Sequence, residues 1–281
     1  MINFNGQLHP NEATFLNQEN RGLRYGDSVF ETIRIVNNTI FFWEDHYLRL
    51  MSSMRMLRME IPMNFTMEFL ESQLLETVSA NGLTDSAARI RLTVFRNNGG
   101  LYLPADHNVS YIIEANLHAS AFFTLNESPY EVELFKDYYV NTDLLSTLKT
   151  NNKLIHVLGS IYAQENGYQN CLLLNQKKEV VEALNGNLFL VNGTQIKTPP
   201  IASGCLNGII RKHLITIIHT IEAYTLVEET ISPFELQKAD ELFITNAIVG
   251  VLPISKYRKK TYENTVSKNL IGKLNAAARL V

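Results

Sequence analysis

The chain has 281 residues, of which 46% are hydrophobic and 19% are charged, and its formal net charge is -3 at pH 7. These values are typical of a globular protein with two packed lobes, and they exclude long disorder, fibrous repeats and a strongly basic surface for nucleic acid. The two cysteines, Cys171 and Cys205, lack CxxC spacing, and the seven histidines form no metal-binding motif. We therefore expect neither a disulfide framework nor a metal site.

The beginning of the sequence, MINFNGQLHP, has neither the basic nor the apolar region of a signal peptide. No stretch approaches the roughly 18 apolar residues that a membrane-spanning helix requires. Together with the weak net charge, these features lead us to expect a cytoplasmic protein whose partner is a small molecule, and neither nucleic acid nor a membrane.

Residues 1–118 are predicted to form a small α+β domain. A hairpin is expected where FETIRIV and IFFW flank Asn37 and Asn38, because asparagine tolerates positive φ. Helical spacing of apolar residues predicts a helix in EDHYLRLMSSMRMLRME and another in MEFLESQLLETVSANG, ending at Gly82. Strands are expected in AARIRLTVF and VSYIIEA. The Gly- and Asn-rich loop RNNGGLYLPADHN between them is either a surface loop or a substrate-facing one.

Residues 119–126 are predicted to be a linker, and residues 127–281 a larger domain. This domain is expected to contain a helix in NKLIHVLGSIYAQENG, the strands CLLLN, VVEA and NLFLV, a helix from Gly208, and a last strand in ELFITNAIVGVLPI. Neither GxGxxG nor GxxxxGK[ST] occurs, which excludes the Rossmann and P-loop nucleotide sites.

The segment SGCLNGIIRKHLITIIHTI places two glycines ahead of a strongly apolar helical pattern. If the helix begins at Gly208, the backbone N–H groups of Ile209 and Ile210 are unpaired at the positive end of the helix dipole and suit a phosphate. Alternatively, the side chain of Asn207 or Ser203 caps this helix end.

Two charged residues could take part in chemistry. Lys149, in TLKTNNKLI, precedes a predicted helix and is either solvated or, if desolvated, a nucleophile able to form an imine. Glu182 ends an apolar strand five residues before Asn187, and an acid in that position is ordinarily solvent-facing.

These features, in this order, resemble the class IV family of pyridoxal-phosphate enzymes, which includes branched-chain aminotransferases, D-amino acid aminotransferases and aminodeoxychorismate lyases. The resemblance runs from RGLRYGDSVFETIR to ITNAIVGVLPI. RGLRYGDSVF meets the family pattern R-x-x-x-[YF]-G-D-x-[VC]-F. The resemblance implies an α/β (α+β) fold of the D-amino acid aminotransferase type, with a small α+β lobe and a larger pseudo-barrel α/β lobe. It also implies pyridoxal 5'-phosphate as cofactor and a homodimer.

The family motifs assign roles to individual residues. Arg49, in HYLRLMSSM, matches the arginine that grips the cofactor phosphate, and a bidentate guanidinium suits that group. Lys149 matches the lysine that bears the aldimine and then acts as acid and base. Glu182 matches the acid that keeps the pyridine nitrogen protonated, so that the ring withdraws electrons.

The remaining matches concern two phosphate-binding turns. In the first, a leucine lies against the ring and backbone N–H groups bind the phosphate. In the second, Ala247 stands where aminotransferases often carry a hydroxyl residue. The matching residues are Leu206, Gly208, Ile209 and Ile210 in the first turn and Asn246, Ala247 and Ile248 in the second.

Within the family, the sequence favours the lyases. Thr32, in FETIR, stands where branched-chain enzymes carry glycine; its hydroxyl could help deliver a proton, or threonine could simply suit a strand. CLNGIIR and ITNAIVGVLP also resemble lyase segments. We therefore expect conversion of 4-amino-4-deoxychorismate to 4-aminobenzoate and pyruvate in folate synthesis, with Lys149 and Thr32 as catalytic residues.

The alternatives are an amino acid aminotransferase of the branched-chain or D-amino acid type and a cofactor-free binding protein with the same fold. Carboxylate recognition stays open, because Arg91 and Arg96 are each either a carboxylate clamp or a solvated or structural residue.

Overall fold

Residues 1–279 are described by a computed structural model of the chain, and they form two compact units. Unit 1 contains Met1–Ala121 together with Lys149–Asn152, and unit 2 contains Phe122–Leu148 and residues 153–279. Within residues 1–279, no helix has the length and apolar character needed to cross a bilayer.

Unit 1 is a six-stranded antiparallel sheet with helices, and its strands have the order β2-β1-β6-β5-β3-β4. The strands are β1 (Ile2–Phe4), β2 (Gln7–His9), β3 (Ser28–Val36), β4 (Thr39–Ile40), β5 (Ala87–Arg96) and β6 (Val109–His118), and the helices are α1 (Arg21–Tyr25), α2 (Trp43–Met56) and α3 (Met67–Ala80).

The core of unit 1 lies between one face of this sheet and helices α2 and α3. Alternate residues of β3, such as Val29, Ile33 and Ile35, are buried there together with Leu50 and Met54 of α2. Successive side chains of a strand point to opposite faces. Phe30, Thr32 and Arg34 therefore lie on the face turned away from the two helices, which we name the second face.

The predicted hairpin is confirmed: Asn37 and Asn38, with φ of 48° and 59°, connect β3 to β4. The predicted strand IFFW is only partly present, because β4 ends at Ile40 and Trp43 already begins helix α2. Phe42, with φ of 55°, turns the chain between them. The alternation of apolar and polar residues does not predict this turn, because phenylalanine rarely adopts a positive φ.

Unit 2 contains a ten-stranded mixed sheet with the order β12-β11-β10-β9-β8-β7-β15-β16, and β10 also pairs with β13, which pairs with β14. In chain order its elements are β7 (Glu131–Val140), α4 (Leu154–Glu165), β8 (Asn170–Asn175), β9 (Val180–Ala183), β10 (Gly186–Asn192), β11 (Gln195–Thr198), α5 (Ile209–His219), β12 (Thr225–Glu228), α6 (Pro233–Leu236), β13 (Glu241–Asn246), β14 (Gly250–Ile254), β15 (Lys256–Tyr257), β16 (Lys260–Thr261) and α7 (Thr265–Ala277). The predicted α/β class is confirmed.

The last predicted strand, ELFITNAIVGVLPI, is wrong as a single element. The structure divides it into β13 and β14, which pair antiparallel. The Oδ1 atom of Asn246 accepts hydrogen bonds from the N–H groups of Ile248 and Val249, both at 3.0 Å. Gly250 follows with φ of 71°. An asparagine side chain that binds its own backbone closes a turn, so the apolar stretch reverses direction here.

Candidate active site

The hairpin of β9 and β10 places Glu182 directly opposite Asn187, across a tight turn that contains Asn185. Both residues hold Leu206: the N–H group of Leu206 donates to Glu182 Oε2 at 2.9 Å, and Asn187 Nδ2 donates to the Leu206 carbonyl at 2.8 Å. The hairpin therefore fixes the backbone of one residue, Leu206, at both its N–H group and its carbonyl. The predicted first phosphate-binding turn is thereby anchored to this hairpin.

Helix α5 begins immediately after this turn, with Gly208 as its N-cap, as predicted. The N-cap position belongs to a glycine, which has no side chain of its own to cap the helix. Ile209 and Ile210 are buried at the first turn. A helix start of this kind presents N–H groups at the positive end of the dipole, which is the donor set that a phosphate requires.

Gly208 is a position where a side chain has no room. Its φ of -75° and ψ of 138° are open to any residue, but a Cβ atom would lie 2.0 Å from Asn187 Oδ1. Asn187 is buried and bound to Leu206, so it cannot swing away without releasing the turn. We expect Gly208→Ala to weaken pyridoxal 5'-phosphate binding at least about tenfold and to cost about 1–3 kcal/mol of stability.

Cofactor titration followed by visible absorbance and urea unfolding measure the two effects. Gly272→Ala is the matched control, because a Cβ at Gly272 in α7 meets nothing within 4 Å. Cofactor affinity in Gly208→Ala equal to that of the control would contradict the assignment of this turn.

The second predicted turn is tied to the same hairpin. Asn246 Nδ2 donates to the carbonyl of Asn185, in the turn between β9 and β10, at 3.0 Å. Beside it, the buried Oγ1 atom of Thr245 has no hydrogen-bond partner among the described residues. Ala247 provides no hydroxyl, so a ligand here would be bound by backbone N–H groups and by Thr245.

Glu182 is a buried carboxylate, with 5% of its surface exposed. The Nε2 atom of His156, on α4, lies 3.7 Å from Glu182 Oε1. Burial, followed by the negative charge of Glu182, raises the pKa of the Cys205 thiol to about 12. Cys205 is therefore a protonated thiol.

In unit 1, Lys149 is held beside β3 by main-chain hydrogen bonds. Its carbonyl accepts from the N–H group of Phe30 at 2.9 Å, and Asn151 N–H donates to the Ser28 carbonyl at 3.1 Å. Lys149 is partly buried, and its Nζ atom lies 4.4 Å from the centroid of the Phe30 ring. The ammonium group is thus directed against an aromatic ring.

Thr32 lies on the same face of β3 as Phe30 and is paired across the sheet with Arg91 of β5. The Arg91 guanidinium carbon lies 3.8 Å from the Phe30 centroid, and its Nη2 donates to Asn151 Oδ1 at 2.8 Å. Burial lowers the pKa of Arg91. Lys149 therefore lies against Phe30 on the same strand face that carries Thr32, the other predicted catalytic residue.

Arg96, by contrast, is structural. Its Nε donates to Asp27 at 2.9 Å, and its terminal nitrogens donate to the carbonyls of Arg58 and Leu57 at 2.9 and 2.7 Å. Arg21 binds the same Asp27 and donates to carbonyls of the predicted loop, including that of Leu101. Arg21 therefore holds the loop, and Arg96 holds the end of helix α2 at Leu57 and Arg58.

Arg49 of α2 is bound to Glu31 of β3. Its Nε and Nη2 atoms lie 2.7 and 2.5 Å from the two carboxylate oxygens, and His46 Nδ1 lies 2.7 Å from Oε2. We name Glu31, His46 and Arg49 the buried triad. It fixes the plane of the guanidinium, whereas phosphate binding by Arg49 stays a prediction.

The buried triad predicts a specific acid sensitivity. Burial by itself would raise the pKa of Glu31, but the charge of Arg49 and the hydrogen bonds from His46 and Arg49 lower it from 4.5 to about 2. The folded pKa lies below the unfolded one, so this stabilisation is complete above about pH 4.5 and is lost as the pH falls towards 2. We expect Glu31→Gln to lower the free energy of unfolding at pH 7 by about 3 kcal/mol or more, because Arg49 also loses its counter-charge.

Urea unfolding between pH 7 and pH 2 checks this expectation, with the exposed Glu60→Gln as control. The loss of stability between pH 4.5 and 2 should be smaller in Glu31→Gln than in wild type. An acid dependence equal to that of wild type would show that the triad does not determine it.

Sequence similarity identifies the family. Residues 28–257 match the class IV amino-transferase family. The chain is 32% identical to a putative branched-chain-amino-acid aminotransferase of Methanocaldococcus jannaschii, covering 94% of this chain and 90% of the relative. It is 27% identical to a D-alanine aminotransferase of Bacillus licheniformis, covering 92% and 88%, and 24% identical to an aminodeoxychorismate lyase of Vibrio harveyi, covering 84% of each.

Solved structures have the same fold. A branched-chain aminotransferase of Thermoproteus uzoniensis crystallised with norvaline has a TM-score of 0.88 at 25% identity, covering 97% of this chain and 92% of that one. A branched-chain amino acid aminotransferase from Thermobaculum terrenum, solved in its PLP form, has a TM-score of 0.85 at 23% identity, covering 99% and 93%.

The family match and the fold define the class of this protein, which is that of the pyridoxal-phosphate enzymes of class IV. The chain belongs to the class IV aminotransferase family, and its cofactor is pyridoxal 5'-phosphate. The donor set of unit 2 fits this group. It comprises a buried carboxylate, the helix start at Gly208 and the hydroxyl of Thr245, which has no partner within residues 1–279.

Several residues that organise the site carry only weak sequence signals. Phe30 and Glu31 have the pattern of ordinary strand residues, although an acid among apolar neighbours is a signal for a buried ion pair. His46 is visible only as the first letter of the HYLRL motif. Asn187 marks the start of a predicted strand, whereas its bond to Leu206 requires the hairpin register.

Proposed function

We propose that this enzyme is a 4-amino-4-deoxychorismate lyase, which releases pyruvate and forms 4-aminobenzoate for folate synthesis. The observation that carries the proposal is the turn after β13. Asn246 closes that turn with its own side chain, and Ala247 occupies the position where aminotransferases often carry a hydroxyl residue. This arrangement accords with the ITNAIVGVLP segment, which resembles the lyases.

Pyridoxal phosphate, when bound, supplies an aldehyde for the substrate amine and a ring that withdraws electrons from the neighbouring carbon. We propose that the Lys149 amine binds the aldehyde and then transfers a proton at the substrate carbon. Glu182 is the carboxylate that, in our proposal, would lie at the ring nitrogen, and the hydrogen bond from the Leu206 N–H group keeps this carboxylate in place.

We propose that Thr32 is the residue that distinguishes the lyase from its aminotransferase relatives. Its side chain shares the second face with Phe30, against which Lys149 Nζ is placed. A hydroxyl there can pass a proton to the three-carbon fragment that leaves as pyruvate, whereas the glycine of branched-chain enzymes cannot.

Product analysis tests the proposal. Purified enzyme incubated with 4-amino-4-deoxychorismate should release 4-aminobenzoate and pyruvate in equal amounts, and Thr32→Val should slow this release. Parallel incubations contain 2-oxoglutarate with either branched-chain or D-amino acids. Glutamate formation without any 4-aminobenzoate would refute the lyase.

A second candidate, an amino acid aminotransferase of the branched-chain or D-amino acid type, is favoured by the identity figures. The Methanocaldococcus relative is 32% identical, whereas the Vibrio lyase is 24% identical.

We also propose a homodimer, on the strength of the family resemblance. Light scattering on the holoenzyme should give twice the mass of the chain, and a mass equal to the single chain would reject the proposal.

A further inference from the structure

Phe123 lies in the stretch that the sequence predicts as a linker, residues 119–126, but it is packed into unit 2. Only 2% of its surface is exposed. One side chain of helix α7 binds both of its main-chain polar groups: the Phe123 N–H group donates to Asn275 Oδ1 at 2.9 Å, and Asn275 Nδ2 donates to the Phe123 carbonyl at 2.8 Å. Two bonds to one planar amide fix both the position and the orientation of Phe123.

The ring of Phe123 lies against Gly250, the first residue of β14. A Cβ atom at Gly250 would lie 2.7 Å from both Cγ and Cδ1 of this ring, and Gly250 has a φ of 71°. The position therefore requires glycine for two reasons, its backbone conformation and the close ring. Because Gly250 is paired with Asn246, the ring contacts the residue at which the second predicted turn ends.

Helix α7 is bound at its other end to the start of β13. The buried carboxylate of Glu241 accepts hydrogen bonds from the N–H groups of Val266 and Ser267, in the first turn of the helix, at 2.9 and 2.7 Å. From Glu241 to Asn246 the strand advances about 17 Å, and from Val266 to Asn275 the helix advances about 14 Å. The helix, which packs on β13 and β14, is therefore fastened near both ends of β13.

The turn between β13 and β14 depends on such support. The turn residues before Gly250 are partly exposed, whereas Gly250 and Phe123 are buried. Ala247 has no hydroxyl, so the turn offers a phosphate its main-chain donors, and these must be held within about 0.5 Å of the productive position. Asn246 ties the beginning of the turn to the Asn185 carbonyl, and the Phe123 ring holds its end at Gly250.

We propose that Phe123 is a positioning residue for the cofactor phosphate, which acts through Gly250 and the turn after β13. The inference rests on the proposed function, in which this turn binds the phosphate. Without the ring, Gly250 has open space beside it and a backbone with many accessible conformations, so the turn gains freedom that phosphate binding must remove. The contribution of the phosphate to cofactor affinity then falls, whereas the contribution of the pyridine ring does not change.

A comparison of pyridoxal 5'-phosphate with pyridoxal, which lacks only the phosphate, tests the inference. Visible absorbance titrations of the apoenzyme give both dissociation constants, and their ratio measures the contribution of the phosphate. Phe123→Ala should reduce this ratio about tenfold and leave the affinity for pyridoxal within about twofold. Asn275→Leu removes both bonds to Phe123 but leaves its ring, and it should reduce the ratio about threefold or more. This second variant keeps the test decisive if Phe123→Ala does not fold.

Phe65→Ala is the matched control, because Phe65 is a similarly buried ring in the core of unit 1. It should lower the free energy of unfolding without changing the ratio of the two affinities. A wild-type ratio in folded Phe123→Ala or Asn275→Leu would overturn the inference, and so would an equal loss of affinity for both compounds. Failure of the proposed function is seen separately, as missing 4-aminobenzoate in an enzyme whose phosphate contribution still depends on Phe123.

Discussion

Lys149→Ala is expected to remove the visible absorbance of the reconstituted enzyme and to lower its turnover at least about 10⁴-fold. The amine placed against Phe30 is lost, and with it the group that we propose to bond to the cofactor and to move the proton. The main-chain bonds between residue 149 and Phe30 do not depend on the side chain, so the fold should be retained.

Absorbance spectra, turnover and circular dichroism of the purified variant measure these effects. Lys153→Ala, at the start of α4, is the control and should keep both absorbance and activity. If Lys149→Ala retained wild-type absorbance while another lysine variant lost it, the assignment of the reacting amine would be wrong.

The second large effect is expected from Glu182→Gln, which should lower turnover about 10²- to 10³-fold and leave the cofactor bound. The amide oxygen of glutamine still accepts the Leu206 N–H bond, so the phosphate-binding turn keeps its anchor. What is lost is the negative charge that keeps the ring nitrogen protonated, and the ring then withdraws electrons less effectively.

Cofactor affinity and turnover should both be measured, because we expect turnover to fall while cofactor affinity stays unchanged. Glu179→Gln is the matched control, since Glu179 is a nearby acid that accepts a hydrogen bond from Asn175 Nδ2 at 2.8 Å. Full activity of Glu182→Gln would exclude an electrostatic role for this acid.

Local patterns predict the elements whose signals lie within a few residues. The positive φ of Asn37 and Asn38, the start of α5 after Gly208 and the amphipathic helix α2 all follow from propensity and spacing. The turn after Asn246 does not, because it depends on one side chain bonding to its own backbone inside an apolar stretch.

Local sequence patterns do not predict contacts between residues that are far apart in the chain. Lys149 lies with unit 1 because its main chain pairs with β3, more than a hundred residues earlier. The contact of Arg49 with Glu31 likewise requires helix α2 to pack on one face of β3. The family motifs name Lys149, Arg49 and Glu182, but only the strand register explains what holds each of them.

The hairpin of β9 and β10 anchors two turns at once, through Glu182 and Asn187 on one side and through the Asn185 carbonyl on the other. The two turns consequently cannot shift independently, since any movement of the hairpin displaces both together. Inserting a single residue between Ala183 and Gly186 would shift the register of the hairpin, so that Glu182 and Asn187 would no longer be opposite each other and both turns would lose their anchoring hydrogen bonds. Loop grafting between members of the family must therefore exchange this hairpin and its two turns as one block.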